Sequence, residues 1–318
     1  MKKSLKITLV CALALIMLIG CGFSPAASAV TLSQSASSGE AVLLSGATAS
    51  SKTTAVTADS AQIDAAVSNR DASGEYDASE ARTLFPDGDL TITSAGTYIL
   101  SGDYNGMILV EVGEEDKVQL VLDNATITNE NGPAIYVRSA DKVFITAAEG
   151  TVNVISDGAD YTLTDDDTTL DAAVFSKDDL TVNGAGKLTI NGNCKHAVVS
   201  KDDLVITAKD LTVNAENVGL NGKDSVRFSE ATVSITAGSD GIRSENGTDA
   251  DKGYVSVADS TVTIVSGKDG IQAETVFTAE NAAITITSGG GSSARSGGEQ
   301  SEFCGRRLHG VLLMSFAP

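Results

Sequence analysis

Ala173-Val174-Phe175-Ser176-Lys177-Asp178-Asp179-Leu180 returns 24 residues later as Ala197-Val198-Val199-Ser200-Lys201-Asp202-Asp203-Leu204. A degraded copy, Gly219-Leu220-Asn221-Gly222-Lys223-Asp224-Ser225-Val226, follows 22 residues further on. Gly241-Ile242-Arg243-Ser244 and Gly270-Ile271-Gln272-Ala273 open two more copies, at intervals of 22 and 29 residues. Upstream, Ala134-Ile135-Tyr136-Val137 opens another, 39 residues before Ala173. The long intervals carry insertions: an acidic loop from Asp157 to Asp171, and a loop from Glu245 to Lys252.

Within a copy, three short apolar/polar alternations are separated by turn residues, as in Gly219-Leu220-Asn221, Ser225-Val226-Arg227-Phe228 and Thr232-Val233-Ser234-Ile235. One copy cannot bury its apolar side alone, whereas stacked copies bury it continuously. The expected fold is all-β: a single-stranded right-handed parallel β-helix, or β-solenoid, with three short strands per coil and about 22 residues per coil. Leu220, Ile242 and Ile271 should form one inward column, and Leu180, Leu204, Val226 and Val276 another. At about 4.8 Å per rung, roughly eight coils make a rod about 40 Å long. A globular β-sandwich does not explain a repeat this strict.

Composition agrees with many short strands. The 318 residues include 31 Gly, 4 Pro and no Trp, and aromatics are 4%. Val, Ile, Leu and Ala must fill the core. A formal charge of -20 repels nucleic acid and anionic lipid at long range.

Outward from the repeat, the chain divides into four parts. Residues 1–21 read as a signal peptide: Lys2, Lys3 and Lys6, then the apolar run Ile7 to Ile19, then Leu18-Ile19-Gly20-Cys21. That ending resembles a bacterial lipobox, with Cys21 lipidated. Ala27-Ser28-Ala29 offers an ordinary secretory cleavage site instead, and both routes lead out of the cell. Residues 22–82 are an Ala/Ser/Thr-rich tether, with a short helix over Thr57 to Val67 expected to cover the first coil. Residues 83–288 hold the repeats. Residues 289–318 are a Gly/Ser-rich tract and a basic, apolar tail without the coil pattern, which reads as a shifted reading frame. Cys194 and Cys304 have no spacing that implies a disulfide framework. Cys194-Lys195-His196 reads as part of a coil, since a transition-metal site needs more ligands.

Three features carry candidate chemistry. In the Lys-Asp turns, Asp178, Asp202 and Asp224 stack one coil apart. They read either as turn residues capping backbone N–H groups or as oxygen ligands for Ca²⁺, which takes six to eight oxygens. The Asp-Gly-Ile turns place Asp240 beside Asp269, and the loop between them adds Glu245, Asn246, Asp249 and Asp251. This is the densest oxygen cluster of the repeats, and its glycines are expected to supply a backbone conformation closed to other residues. The run Asp165-Asp166-Asp167, with Asp157, Asp160 and Asp171, is a solvated loop or a weaker metal site. No nucleophile elbow, zinc-protease or phosphate-loop motif occurs in the sequence. The outward Thr/Ser residues of the strands look too irregular for an ice-binding surface.

The coils reading A-x-F/V-S-K-D-D-L, S-D-G-I-R-S-E-N-G-T-D-A-D-K-G-Y-V and K-D-G-I-Q-A-E-T resemble the bacterial carbohydrate-binding domain-containing proteins over about Phe85 to Gly290. The resemblance implies a β-helix shaped like polysaccharide lyases, bound calcium, and binding to plant polysaccharides such as cellulose and polygalacturonate. Carried over by position, it nominates Asp240, Asp269, Asp178, Asp202 and Asp224 as calcium ligands. Two places depart from the family pattern: Lys195-His196-Ala197 and Asn217-Val218-Gly219 replace the usual acidic pair. The function expected is calcium-dependent, non-catalytic glycan binding at the cell surface, with the membrane reached only through the lipid anchor. A calcium-dependent polysaccharide lyase and a structural adhesin are the alternatives.

Overall fold

β-Branched residues alternating with polar ones, cut by short turns, fold each repeat into strands. The computed structural model describes residues 30–31, 67–85, 87–162, 169–288 and 311–314. In one repeat the strands are Leu220–Gly222, Ser225–Ser229 and Thr232–Ala237. Each pairs in parallel with its counterparts before and after. Val198, Leu220, Ile242 and Ile271 lie in register, as do Leu211, Val233 and Val262.

Among the described residues the strands nevertheless form two sheets, which corrects the expected single-stranded right-handed parallel β-helix with three short strands per coil. One parallel sheet has eight strands, from Leu90–Ile92 to Ile271–Ala273, and the other has seventeen. The cause is local. The second and third strands of a repeat are separated by a turn at one left-handed residue: Glu230 (φ 49), Asp259 (φ 47) or Asn281 (φ 46). In an earlier rung even this break closes. Lys117–Asn129 is one strand of 13 residues, and it pairs with both Lys142–Ala147 and Val152–Asp157. Two of the three strands expected in each coil therefore belong to one hydrogen-bonded sheet. Its seventeen strands include Val30–Thr31, antiparallel to Ala283–Ser288, and Val311–Met314, parallel to Val276–Glu280.

The core lies between the sheets and joins Val174, Val198, Leu220 and Ile242 of the smaller sheet to Leu180, Leu188, Leu204 and Val226 of the larger. Burying each such side chain contributes roughly 1.5–3 kcal/mol. One expected column needs correction. Its register runs Leu180, Leu204, Val226, Val255, Phe277, so Val276 is not in it. The 245–252 insertion lengthens its repeat and hides the rung that Tyr254–Ala258 supplies.

Gly241 and Gly270 are also required for a reason other than the one expected. Neither has a positive φ. A Cβ on Gly241 would sit 2.4 Å from Ile264 Cγ2, and one on Gly270 would sit 2.4 Å from Ile286 Cγ2. Close approach of the sheets, not backbone conformation, excludes side chains here.

Of the helix expected over Thr57 to Val67, all but Val67 lies outside the described residues, as do the leader, Cys21 and the Gly/Ser-rich tract. A helix does form at Asn69–Ser73, where Ser68 and Asp71 make a capping box and Gly74 closes the end in the left-handed region. It straps the outer side of the larger sheet across several rungs. Buried Asp71 accepts a hydrogen bond from Thr181 Oγ1 at 2.5 Å and pairs with Lys142 Nζ at 2.9 Å. Thr207 Oγ1 donates to the Asp71 carbonyl at 2.5 Å, and the Arg70 guanidinium lies 4.5 Å from the Phe144 ring centre.

Candidate functional site

The repeated Ser-Lys-Asp-Asp turn is fixed by its serine. Ser176 Oγ donates to the Asp178 carbonyl at 2.7 Å and accepts from the Asp178 N–H at 3.2 Å. Ser200 Oγ lies 3.0 Å from both the Asp178 and Asp203 carbonyls, tying one rung to the next. Parallel register then stacks the turns at the C-terminal ends of the smaller sheet's strands.

The stacked carboxyls converge in pairs. Asp202 meets Asp224, and burial, the hydrogen bond to Asp224 and its charge raise Asp202 to about 6. Burial also pushes Asp224 upward, but hydrogen bonds from Lys252, Asn246 and the Asp202 carboxyl bring it below its ordinary value. Lys252 Nζ and Asn246 Nδ2 stand 2.6 and 2.7 Å from Asp224. Asp178 accepts from the Ala140 N–H at 3.0 Å. Burial, and to a lesser degree the charges of Glu114 and Asp141, raise it. A parallel pair, Asp179 and Asp203, lies one residue on: the Asp203 N–H donates to Asp179 Oδ1 at 3.2 Å, and Arg227 holds Asp203 at 2.6 Å.

Asp240 and Asp269 make another pair, at the opposite end of the smaller sheet's strands. The Asp269 N–H donates to Asp240 Oδ1 at 3.2 Å. Burial and the Asp240 charge raise Asp269. The loop acids do not join them, because the strand Ile242–Ser244 intervenes. Glu245 pairs with Arg243 at 3.2 Å, Asp249 Oδ1 accepts from the Asp251 N–H at 3.1 Å, and Asn246 Oδ1 accepts from the Thr248 and Asp249 N–H groups. Among the described residues, no three His, Cys, Asp or Glu side chains converge as a metal-binding group. The donors are right in kind for calcium: hard carboxylates, two per pair, with the remaining positions left to carbonyls, water or ligand.

Asp165, Asp166 and Asp167 lie outside the described residues. The rest of that loop is clasped to the smaller sheet. Tyr161 Oη donates to Asp157 Oδ2 at 2.7 Å, and Asp171 lies 3.5 Å from His196 Nε2. Leu170 and Tyr161 cover Tyr136, Phe175 and Val199 on the outer face. His196 Nδ1 accepts from the Val218 N–H at 3.2 Å, and burial raises the Cys194 thiol. Two open grooves of about 450 and 1090 Å³ flank the Asn69–Ser73 strap and contain none of the paired aspartates.

The sequence reading missed two features. One is the Asp71 clasp. The other is the seat of the turn lysines, with Lys177 Nζ 5.5 Å from the Tyr136 ring centre and Lys201 Nζ 5.3 Å from that of Phe175. Aligning each turn with the copy before it places an aromatic residue under each of these lysines.

Stacked parallel repeats with paired carboxyls along their turns define a repeat protein built to present acidic columns. A family profile described as carbohydrate-binding domain-containing protein matches residues 86–310, and the chain belongs to that family. A carbohydrate-binding domain-containing protein of Acetivibrio thermocellus is 41% identical over 129 residues, covering 40% of this chain and 45% of that protein. The match thus spans less than half of the relative. The structure of a polysaccharide lyase-like protein from C. thermocellum, a gadolinium derivative, superposes with a TM-score of 0.63 and 34% identity. It covers 74% of this chain and 89% of the other.

Proposed function

We propose that this chain is a calcium-dependent, non-catalytic module that binds cell-wall-type polysaccharides, cellulose or polygalacturonate, outside the cell. The observation that carries the reading is the facing of carboxyls from successive repeats, Asp202 with Asp224 and Asp240 with Asp269. A divalent cation between two such carboxylates relieves their repulsion and keeps coordination positions for sugar oxygens. It also explains how a chain of charge -20 can hold an anionic glycan, by bridging the two. Asp178 would extend the ligand column, while Glu245, Asp249 and Asp251 would contribute only after leaving their present partners. The gadolinium derivative of the structural relative adds support, since gadolinium is a hard cation that seeks the same oxygens. Export with Cys21 as a lipid anchor completes the reading, leaving the protein attached to the membrane only through that lipid.

The test is retention on polygalacturonate and on cellulose, with calcium and with chelator. Chelator-sensitive retention without product is expected. Release of unsaturated product, read by its ultraviolet absorbance, would establish the second reading, a lyase. The lyase-like character ascribed to the structural relative favours that second reading. Retention on neither glycan would leave an adhesin.

A further inference from the structure

The turn lysines have no part in the calcium reading, yet their arrangement is regular. The Lys177 N–H donates to the Val137 carbonyl at 3.0 Å, that of Lys201 to Ser176 at 2.9 Å, and that of Lys223 to Ser200 at 3.0 Å. Arg138, Lys177, Lys201 and Lys223 therefore leave four consecutive rungs at one strand end. With rungs about 4.8 Å apart, four cationic side chains occupy roughly 15 Å of one edge. The next two rungs place Glu245 and Glu274 there.

Many other cations of the chain are discharged locally, although Lys187 and Lys268, away from this edge, also make no ion pair among the described residues. Lys117, Lys142, Lys195, Lys209 and Lys252 each face a carboxylate within 4.0 Å. Among the described residues, Lys177, Lys201 and Lys223 make no such pair. The rings of Tyr136 and Phe175 seat two of them instead. A ring face attracts an ammonium without neutralising it, so the stem is held while the charge stays available. Arg138 lies 5.3 Å from the Tyr136 ring centre and 3.5 Å from Glu111. The adjoining carboxyls are engaged elsewhere: Asp203 by Arg227 and Asp224 by Lys252. Like charges at this spacing repel, and the fold holds them in line without alternating their sign.

We propose that this column is a metal-independent anion track. It binds glycan carboxylates directly and selects uronate-bearing chains over neutral ones. The proposal rests on the polysaccharide reading above and adds its specificity-determining residues.

The test uses the full chain carrying Lys177→Gln, Lys201→Gln and Lys223→Gln together, with the corresponding triple Arg variant as the charge-keeping control. The probes are polygalacturonate and its methyl ester, in calcium and in chelator. The expected result is a loss of about tenfold or more in polygalacturonate affinity in both conditions for the Gln variant. The Arg variant should retain affinity, and wild type should bind the ester weakly. Should the Gln triple unfold, Lys223→Gln alone, which removes an exposed side chain, must show an affinity loss of about threefold. Equal binding by wild type and the Gln variant overturns the track; if chelator still abolishes that binding, the calcium reading survives. Chelator-insensitive binding lost in the Gln variant supports the track and removes calcium. Wild-type binding to the ester as strong as to polygalacturonate overturns the track alone, and binding to no glycan overturns both.

Discussion

Asp202 is the residue at which protonation, the proposed calcium and fold stability meet. Its carboxyl is raised from 3.8 to about 6 by burial and by Asp224. Between pH 4 and 6 the folded chain thus holds a proton that the unfolded chain has released. Stability must fall as pH rises through that window, because the unfolded state binds fewer protons there. Taken whole, the shift would correspond to about 3 kcal/mol; solvent screening at this half-buried carboxyl brings it to about 1 kcal/mol. The depressed Asp224 acts at lower pH, where its contribution is lost as pH falls below its ordinary value. Asp202→Asn removes the repulsion and leaves an amide that can donate to Asp224. Without calcium at pH 7 the variant should be more stable by about 1 kcal/mol, or 2–4 °C in melting temperature for a domain of this size. At pH 4 the two proteins should melt together. Adding calcium at pH 7 should stabilise wild type more than the variant, which keeps only the Asp240–Asp269 pair of the two proposed sites. Melting curves from pH 4 to 8, with chelator or calcium, read all of this. A variant less stable than wild type at pH 7 in chelator would refute the reasoning, as would an unaltered slope between pH 4 and 6.

Other substitutions probe the frame. Gly241→Ala should destabilise by about 1–3 kcal/mol through overpacking, because its Cβ would meet Ile264 Cγ2 at 2.4 Å; urea unfolding checks it, and a gain in stability would contradict it. Leu204→Ala, in the fully buried central column, should cost about 2–5 kcal/mol by the same assay. Asp71→Ala leaves Lys142 without its 2.9 Å partner and should cost about 3 kcal/mol, with proteolysis near residues 68–80 as the readout. Burial pushes Asp71 up, but hydrogen bonds from Lys142, Thr181 and Ser68 leave it lowered. Its contribution is therefore present above pH 4 and lost as pH falls further, so acid should free the strap in wild type as well.

The stacking of repeats was legible because Ala173–Leu180 and Ala197–Leu204 repeat nearly residue for residue, and register followed from that identity. The division into two sheets was not. It depends on whether the turn between neighbouring strands breaks the hydrogen-bond ladder, and Asn124, Glu230, Asp259 and Asn281 share a left-handed φ whether the ladder runs on, as at Asn124, or breaks, as at Asn281. The misplaced Val276 shows the same limit: the variable insertion hid the rung of Val255, and the column then passes one residue on, through Phe277. The Asp71 clasp joins residues 110 positions apart, and nothing in the composition of a Ser/Thr/Ala-rich segment marks one aspartate as a core ligand.

At the site, the period alone predicted which carboxyls become neighbours, because residues at equal phase in a stack must be adjacent. It could not predict their counter-charges, which come from residues out of phase. Lys252 reaches Asp224 from the insertion, and Arg227 reaches Asp203 from the next rung. These two cations engage Asp224 and Asp203, while Asp202, raised to about 6, and Asp269, raised by burial and Asp240, keep excess affinity for a proton. A column of identical turns would repeat the same repulsion at every rung. The irregular cations break that uniformity, so the proton-holding carboxyls mark where an added cation gains most from binding. Lys177 and Lys201, one residue away, escape this competition because they rest on rings rather than carboxylates. On the proposed reading, two adjacent columns of opposite sign act on one polyanion, the acidic one through a bridging metal and the basic one directly.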